Sequence, residues 1–275
     1  MATETSSNYM DGPYAPVASR ALVTGGSSGI GRDVALALAG AGVEVHVLGR
    51  RLPRLEETAE MAGPDATVIP HAADIRDPEQ VEAAFAAAEA EGGPVPILVN
   101  AAGGAFLAAA EDITPNGFAT VVASSVSGPF NVLRRWGRAL LDAEQEGVAM
   151  LVSSALAARE VPGAAHSSAA KAGLEALVRS LAVEWGPRGL RINALAPGAF
   201  ETEGATDGMW SDDNVRSAAL SNIPMGRFGH PDELLGAAAF LVSRAATYVT
   251  GTTLVVDGGW RLSTHPFGDV YPPRQ

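Results

Sequence analysis

The feature that most restricts the fold of this chain is an alternation of short apolar runs with Ala-rich stretches of helical length. The runs fall at residues 21–24, 43–48, 66–69, 97–99, 148–152, 191–195 and 253–256. They are continuous rather than alternating with polar residues, as strands covered on both faces should be. Helical patterns lie between them at about 30–41, 78–91, 117–146, 167–186 and 231–245. Strand and helix in turn demand right-handed crossovers, because a twisted strand feeding a right-handed helix packs back onto its sheet only that way. The expected architecture is a single α/β domain, a doubly wound, seven-stranded parallel sheet with helices on both faces.

No linker or shift of composition divides the chain. One domain is expected over 20–262, after a flexible N-terminal arm at 1–19 and before a proline-bearing tail at 263–275. The stretch 200–222, rich in Glu, Asp, Gly and Ser, is long for a connection and is expected to form a lid. The 275 residues are 47% hydrophobic, enough for a large core, and no run approaches the length of a membrane span. A net charge of −12 opposes binding to nucleic acid or to an anionic membrane surface. There is no cysteine, which removes disulfides, Cys-based zinc sites and thiol nucleophiles. The five histidines show no paired metal spacing, so no metal is expected. A soluble, cytoplasmic protein acting on a small molecule is the resulting expectation.

Two places carry chemistry at the first two strands. The first runs straight into Thr24-Gly25-Gly26-Ser27-Ser28-Gly29-Ile30-Gly31, and a helix opens there. Glycines at this point let a pyrophosphate approach free N–H groups at a helix N-terminus, where the dipole favours anions. Gly25, Ser27, Ser28, Gly29, Ile30 and Gly31 are the candidate phosphate cradle. The second strand ends in Arg50-Arg51. An NAD site has an acid at this place for the ribose 2′-OH, whereas two guanidinium groups suit a 2′-phosphate. NADP(H) is therefore expected as cofactor. A third signal is compositional: among 19 basic residues Lys171 is the single lysine. Arg serves as well on a solvated surface, so the surviving Lys belongs where a compact ammonium is needed.

Several motifs in order give the chain its resemblance to the short-chain dehydrogenase/reductases, over most of its length from Arg20 to about Arg261. They are residues 24–31, Asp74-Ile75, Asn100-Ala101-Ala102-Gly103, a Ser ahead of the Lys171 helix, Pro197-Gly198 with Thr202, and Asp257-Gly258-Gly259. The resemblance implies a Rossmann-type fold in which Asp74 and Ile75 flank the adenine and Asn100, Ala101, Ala102 and Gly103 line the cofactor. Pro197, Gly198, Ala199, Phe200 and Thr202 would lie against the nicotinamide carboxamide, and Lys171 would bind the nicotinamide ribose. A homotetramer or homodimer is implied as well. Within the family the chain looks most like the 2,4-dienoyl-CoA reductases, through Arg50-Arg51-Leu52-Pro53-Arg54, Leu181-Ala182-Val183-Glu184-Trp185-Gly186-Pro187, Leu195-Ala196-Pro197-Gly198 and Thr202-Glu203-Gly204.

The family's usual acid is a Tyr four residues before the Lys, with a Ser thirteen residues before that Tyr. Here those places hold Ser167 and Ser154. Positions 167 and 171 share a helix face, so Ser167 is expected to point towards Lys171. An aliphatic hydroxyl is a far poorer acid than a phenol of pKa about 10, so Ser167 suits holding a water or relaying a proton. Dienoyl reductases protonate a carbon with another Tyr or an Asp. The corresponding places here carry Leu156 and Ser125. Tyr248 is expected to be a structural aromatic before the last strand. His166 is a candidate acid near neutral pH, and Arg159 and Glu160 read as solvated loop charges.

These residues point to an NADPH-dependent reductase of a conjugated C=C or C=N bond. Ser154 and Lys171 would stabilise the charge that hydride addition creates, and a water or His166 would bring the proton. Two other readings use the same scaffold. One is redox-neutral chemistry, as a cyclase, isomerase or dehydratase; the other is a catalytically silent NADP-binding protein.

Overall fold

A computed structural model describes residues 10–104, 106–158, 162–201 and 213–263. Its strands are β1 (Arg20–Thr24), β2 (Glu44–Gly49), β3 (Val68–Ala72), β4 (Ile97–Asn100), β5 (Gly147–Val152), β6 (Leu190–Pro197) and β7 (Thr253–Val256). They form one seven-stranded sheet in the order β3-β2-β1-β4-β5-β6-β7, and every pairing is parallel. The helices are α1 (Gly29–Gly40), α2 (Leu52–Met61), α3 (Pro78–Glu89), α4 (Pro115–Val122), α5 (Gly128–Asp142), α6 (Ala165–Trp185), α7 (Asp213–Ser221) and α8 (Asp232–Val242). The order of strands reverses between β1 and β4, so the loops leaving their C-terminal ends diverge and open a crevice.

The apolar runs are continuous because successive strand residues feed two cores. Val23, Val45, Val47, Val99 and Met150 pack against α1 and α8 on one face. Leu22, Leu48, Leu98, Ala149 and Leu151 meet α3, α5 and α6 on the other. A buried Leu or Val of this kind contributes about 1.5–3 kcal/mol. Trp136 fills the second core and still satisfies its indole, whose Nε1 donates to the Val95 carbonyl at 2.9 Å.

Five departures from the sequence reading have physical reasons. Helix α2 carries no expected signal because its ten residues bury only Leu55 and Thr58. Strand β3 lies two residues beyond the run at 66–69, and as an edge strand it accommodates Pro70. The helical pattern at 117–146 is broken by a π turn at Ala123–Ser127, between α4 and α5. Part of the expected irregular lid is helical, as α7, while residues 202–212 lie outside the described residues. Tyr248, expected to be a structural aromatic, is fully exposed.

Two histidines that show no pairing in the sequence meet across β2 and β3. His46 Nδ1 stands 2.9 Å from His71 Nε2, and His46 Nε2 lies 3.1 Å from Glu44, which also accepts from Arg20 Nε at 2.8 Å. Burial pushes both imidazoles below their ordinary value, with Glu44 partly opposing this at His46. The network ties the sheet edge together. Among the described residues no three His, Cys, Asp or Glu side chains gather as a metal site, and no helix is long and apolar enough to cross a membrane.

Candidate active site

The turn after β1 is held by close backbone approach. Gly25 has φ +72°, and a β-carbon there would stand 2.7 Å from the Ala102 amide nitrogen. A β-carbon on Gly31 would meet the Gly25 carbonyl at 2.4 Å. Both places require glycine, and the result is a tight cradle that opens onto α1. Ser28 caps this helix with extended backbone and no side-chain bond, and no acid stands in the first turn. The first amides therefore keep their capacity for an anion. Ser27 turns its carbonyl towards Arg32, whose Nη2 donates at 2.6 Å, and Ile30 packs against the neighbouring core.

At the end of β2, Arg50 and Arg51 are exposed. Beyond β3, Asp74 is engaged by Arg76, whose backbone amide and guanidinium both donate to its carboxylate. Arg76, and more weakly Arg50, hold that carboxyl below the usual range. Ile75 is buried and packs on Gly128 at the start of α5, and its carbonyl accepts from Asn131 at 3.0 Å. At the end of β4, Asn100 accepts from the Thr24 hydroxyl at 2.8 Å, while Ala101 and Ala102 donate back to Thr24. That exchange locks the two loops that flank the crevice.

The neighbouring loops come from β5 and β6. Lys171, on α6, donates from Nζ to the Val152 carbonyl at 2.8 Å. A β-carbon on Gly103 would lie 3.6 Å from both this Nζ and Ser125 Oγ, so all three groups adjoin. The π turn is what delivers Ser125, which is buried, to that spot. Burial lowers the Lys171 ammonium to about 8, and the negative charge of Glu175 partly opposes the shift. Ser154 follows β5 and is half-buried, and Ser167 is buried one turn before Lys171 on α6.

His166 is fully buried; its ring lies tilted against Phe106 with centroids 4.2 Å apart, and neither nitrogen has a partner among the described residues. Pro197 ends β6. Gly198 donates to the Val256 carbonyl at 2.8 Å, and Ala199 and Phe200 are buried beside it. Thr202, Arg159 and Glu160 lie outside the described residues.

A glycine cradle at the first crossover and a lysine-bearing helix after the fifth strand are the framework on which comparison with known proteins bears. Residues 25–261 match the family described as enoyl-(acyl carrier protein) reductase. The chain belongs to the short-chain dehydrogenase/reductase family. It is 36% identical over 248 residues to a probable 2,4-dienoyl-CoA reductase of Bacillus subtilis, covering 90% of this chain and 98% of that one. It is also 40% identical over 243 residues to a galactitol 2-dehydrogenase of Cereibacter sphaeroides, covering 88% of this chain and 94% of the relative. Among solved structures, an Agrobacterium tumefaciens protein with bound NADP superimposes with a TM-score of 0.83 at 33% identity, covering 91% of this chain and 99% of the other.

The residues present fit a dinucleotide. The cradle at Gly25 and Gly31 is too narrow for side chains, the helix that follows has neither a side-chain cap nor an acid in its first turn, and exposed guanidinium groups stand at the next strand end. Two features of the site escaped sequence reading. Ser153 donates to Glu175 Oε1 at 2.7 Å, and Arg76 occupies the Asp74 carboxylate. An acid one turn after the single lysine was a readable signal for the first. The second depends on a turn conformation that residue types alone do not specify.

Proposed function

We propose that this protein is an NADPH-dependent reductase of a conjugated double bond in an acyl-thioester substrate, working without the family's phenolic acid. The observation that carries this reading is the group one turn before Lys171: Ser167, an alcohol, where carbonyl reductases of the family use a Tyr. Tyr14 and Tyr248 are exposed, with Tyr248 near the opposite ends of the strands, and Tyr9 and Tyr271 lie outside the described residues. Alcohol–ketone exchange needs a proton donor at oxygen. Reduction of a conjugated carbon needs, above all, stabilisation of an enolate.

Gly25, Ser27, Ser28, Gly29, Ile30 and Gly31 would hold the pyrophosphate, and Arg50 and Arg51 the 2′-phosphate. Asp74, Ile75 and Asn100 to Gly103 would flank the adenosine side, and Pro197, Gly198, Ala199, Phe200 and Thr202 the nicotinamide. The bound cofactor supplies hydride. Lys171 holds the ribose and lends positive charge to the site, and Ser154 donates a hydrogen bond to the developing enolate oxygen. Ser167 holds a water or relays a proton, and His166 is the other candidate donor. The exposed rings of Phe118 and Phe130, on successive helices, support a homodimer or homotetramer.

Redox-neutral chemistry on the same scaffold is the second reading, favoured by the absence of a phenol at Lys171. Overall identity does not choose the reaction, since the galactitol dehydrogenase is as similar as the dienoyl reductase. The test is NADPH consumption with a 2,4-dienoyl thioester beside matched ketones and alcohols. The reductase reading requires turnover of the thioester alone. Conversion without cofactor consumption establishes the second reading, and turnover of the ketone refutes the first.

A further inference from the structure

The end of β5 is laced to α6 by two rungs, one turn apart. Val152 offers its carbonyl to Lys171 Nζ at 2.8 Å, and the next residue, Ser153, donates its hydroxyl to Glu175 Oε1 at 2.7 Å. Ser153 is itself buried, and its amide donates to the Leu195 carbonyl at 2.7 Å, so the rung is anchored in β6 as well. Ser154, the candidate oxyanion donor, comes immediately after. Lys171 and Glu175 are four residues apart on one helix face, where a carboxylate and an ammonium act on each other.

We propose that Glu175 is a positioning residue: held by Ser153, it supplies the counter-charge for the Lys171 ammonium and fixes Ser154 and Lys171 in register. This rests on the reading that Lys171 is a catalytic residue. The surroundings leave few other sources of charge. Towards Lys171, the turn after β4 contributes Gly103, the π turn contributes Ser125 and β5 contributes the Val152 carbonyl, none of them ionised. On α6 itself Ser167 and His166 precede it. Among the described residues Glu175 is the side chain whose charge acts on Lys171. A buried ammonium loses its proton easily, and a lysine in this site works only while charged. Glu175 therefore widens the pH range over which the enzyme is active.

The chain's single lysine makes this directly measurable. Protein grown on isotope-labelled lysine gives one side-chain resonance, and its titration reads Lys171 whatever the reaction is. Glu175→Gln keeps an acceptor for Ser153 but removes the charge. The Lys171 titration is expected to move down by about one pH unit, the alkaline limb of kcat/KM moving with it. Glu175→Asp, which keeps the charge, restores most of the shift. Ser153→Ala releases the carboxylate and moves the titration the same way by less, which provides the test should Glu175→Gln fail to fold. An unchanged lysine titration in Glu175→Gln, or in Ser153→Ala where the first variant does not fold, overturns the proposal. A shifted titration in a protein that reduces no substrate leaves this proposal standing and removes the reductase reading instead.

Discussion

At the β1–β2 end of the crevice the cofactor cradle is made chiefly of backbone, whereas at the β5–α6 end the proposed chemistry depends on side chains. The first end is fixed by near-contacts of peptide groups, Gly25 against Ala102 and Gly31 against Gly25. The second is fixed by Lys171, Ser154, Ser167, Ser153 and Glu175, and one exchange there changes which proton can be moved. A fold can therefore keep its cofactor site while its reaction changes, because the two are specified by different parts of the peptide. The electrostatics differ in the same way. Free helix amides and exposed arginines attract an anion at one end, and a single buried ammonium with one carboxylate serves the other.

The comparison breaks most visibly at Lys171. Lys171→Met is expected to lower kcat/KM by about a thousandfold, the scale on which charge stabilisation acts in a closed site, without loss of the fold. Stability should move the other way. Because Lys171 is lowered from 10.5 to about 8 in the folded chain, the unfolded chain binds the extra proton between those values. Wild-type stability is thus expected to rise as pH increases from about 8 to 10.5, and the variant should lack that rise. At neutral pH the variant's Tm should be higher by about 3 °C, the shift that ~1 kcal/mol produces in a domain of this size. Thermal melts across pH check both signs.

At the backbone end, one methyl group should separate binding from the rest of the fold. Gly31→Ala forces a β-carbon against the Gly25 carbonyl, and the strain is expected to cost about 2–3 kcal/mol and to abolish NADPH binding. Denaturant melts and a fluorescence titration measure the two effects. The smallest effect belongs to the exposed arginines. Arg50→Ala or Arg51→Ala should weaken NADPH by about tenfold, ~1.4 kcal/mol, and leave NADH unchanged. Equal losses for both cofactors would show that neither arginine reads the 2′-phosphate.

What could be read in the sequence follows the same division. The sheet was legible because strands buried on both faces leave unbroken apolar runs, and the cradle because close backbone approach admits only Gly at positions such as 25 and 31. Helix α2 was not legible, since it buries little besides Leu55 and Thr58 and so has no apolar stripe. Ser125 looked like an ordinary mid-helix residue; the π turn that holds it beside Gly103 and Lys171 is a backbone irregularity that residue types alone do not specify. His166 was legible as a candidate but not as a buried ring under Phe106, because that contact joins the first turn of α6 to the segment after β4, distant in sequence. Histidines 46 and 71 met unannounced for the same reason, through strand register rather than spacing.

The most direct test of hydride transfer without a phenolic acid is the fate of a deuterium label. NADPH carrying deuterium at the transferable position is mixed with a 2,4-dienoyl thioester in ordinary water, and the product is weighed by mass spectrometry. The account requires one deuterium on a carbon of the reduced thioester, one proton from solvent, and loss of both in Lys171→Met. An altered substrate without deuterium, or a deuterated alcohol from a ketone with the thioester untouched, would contradict it.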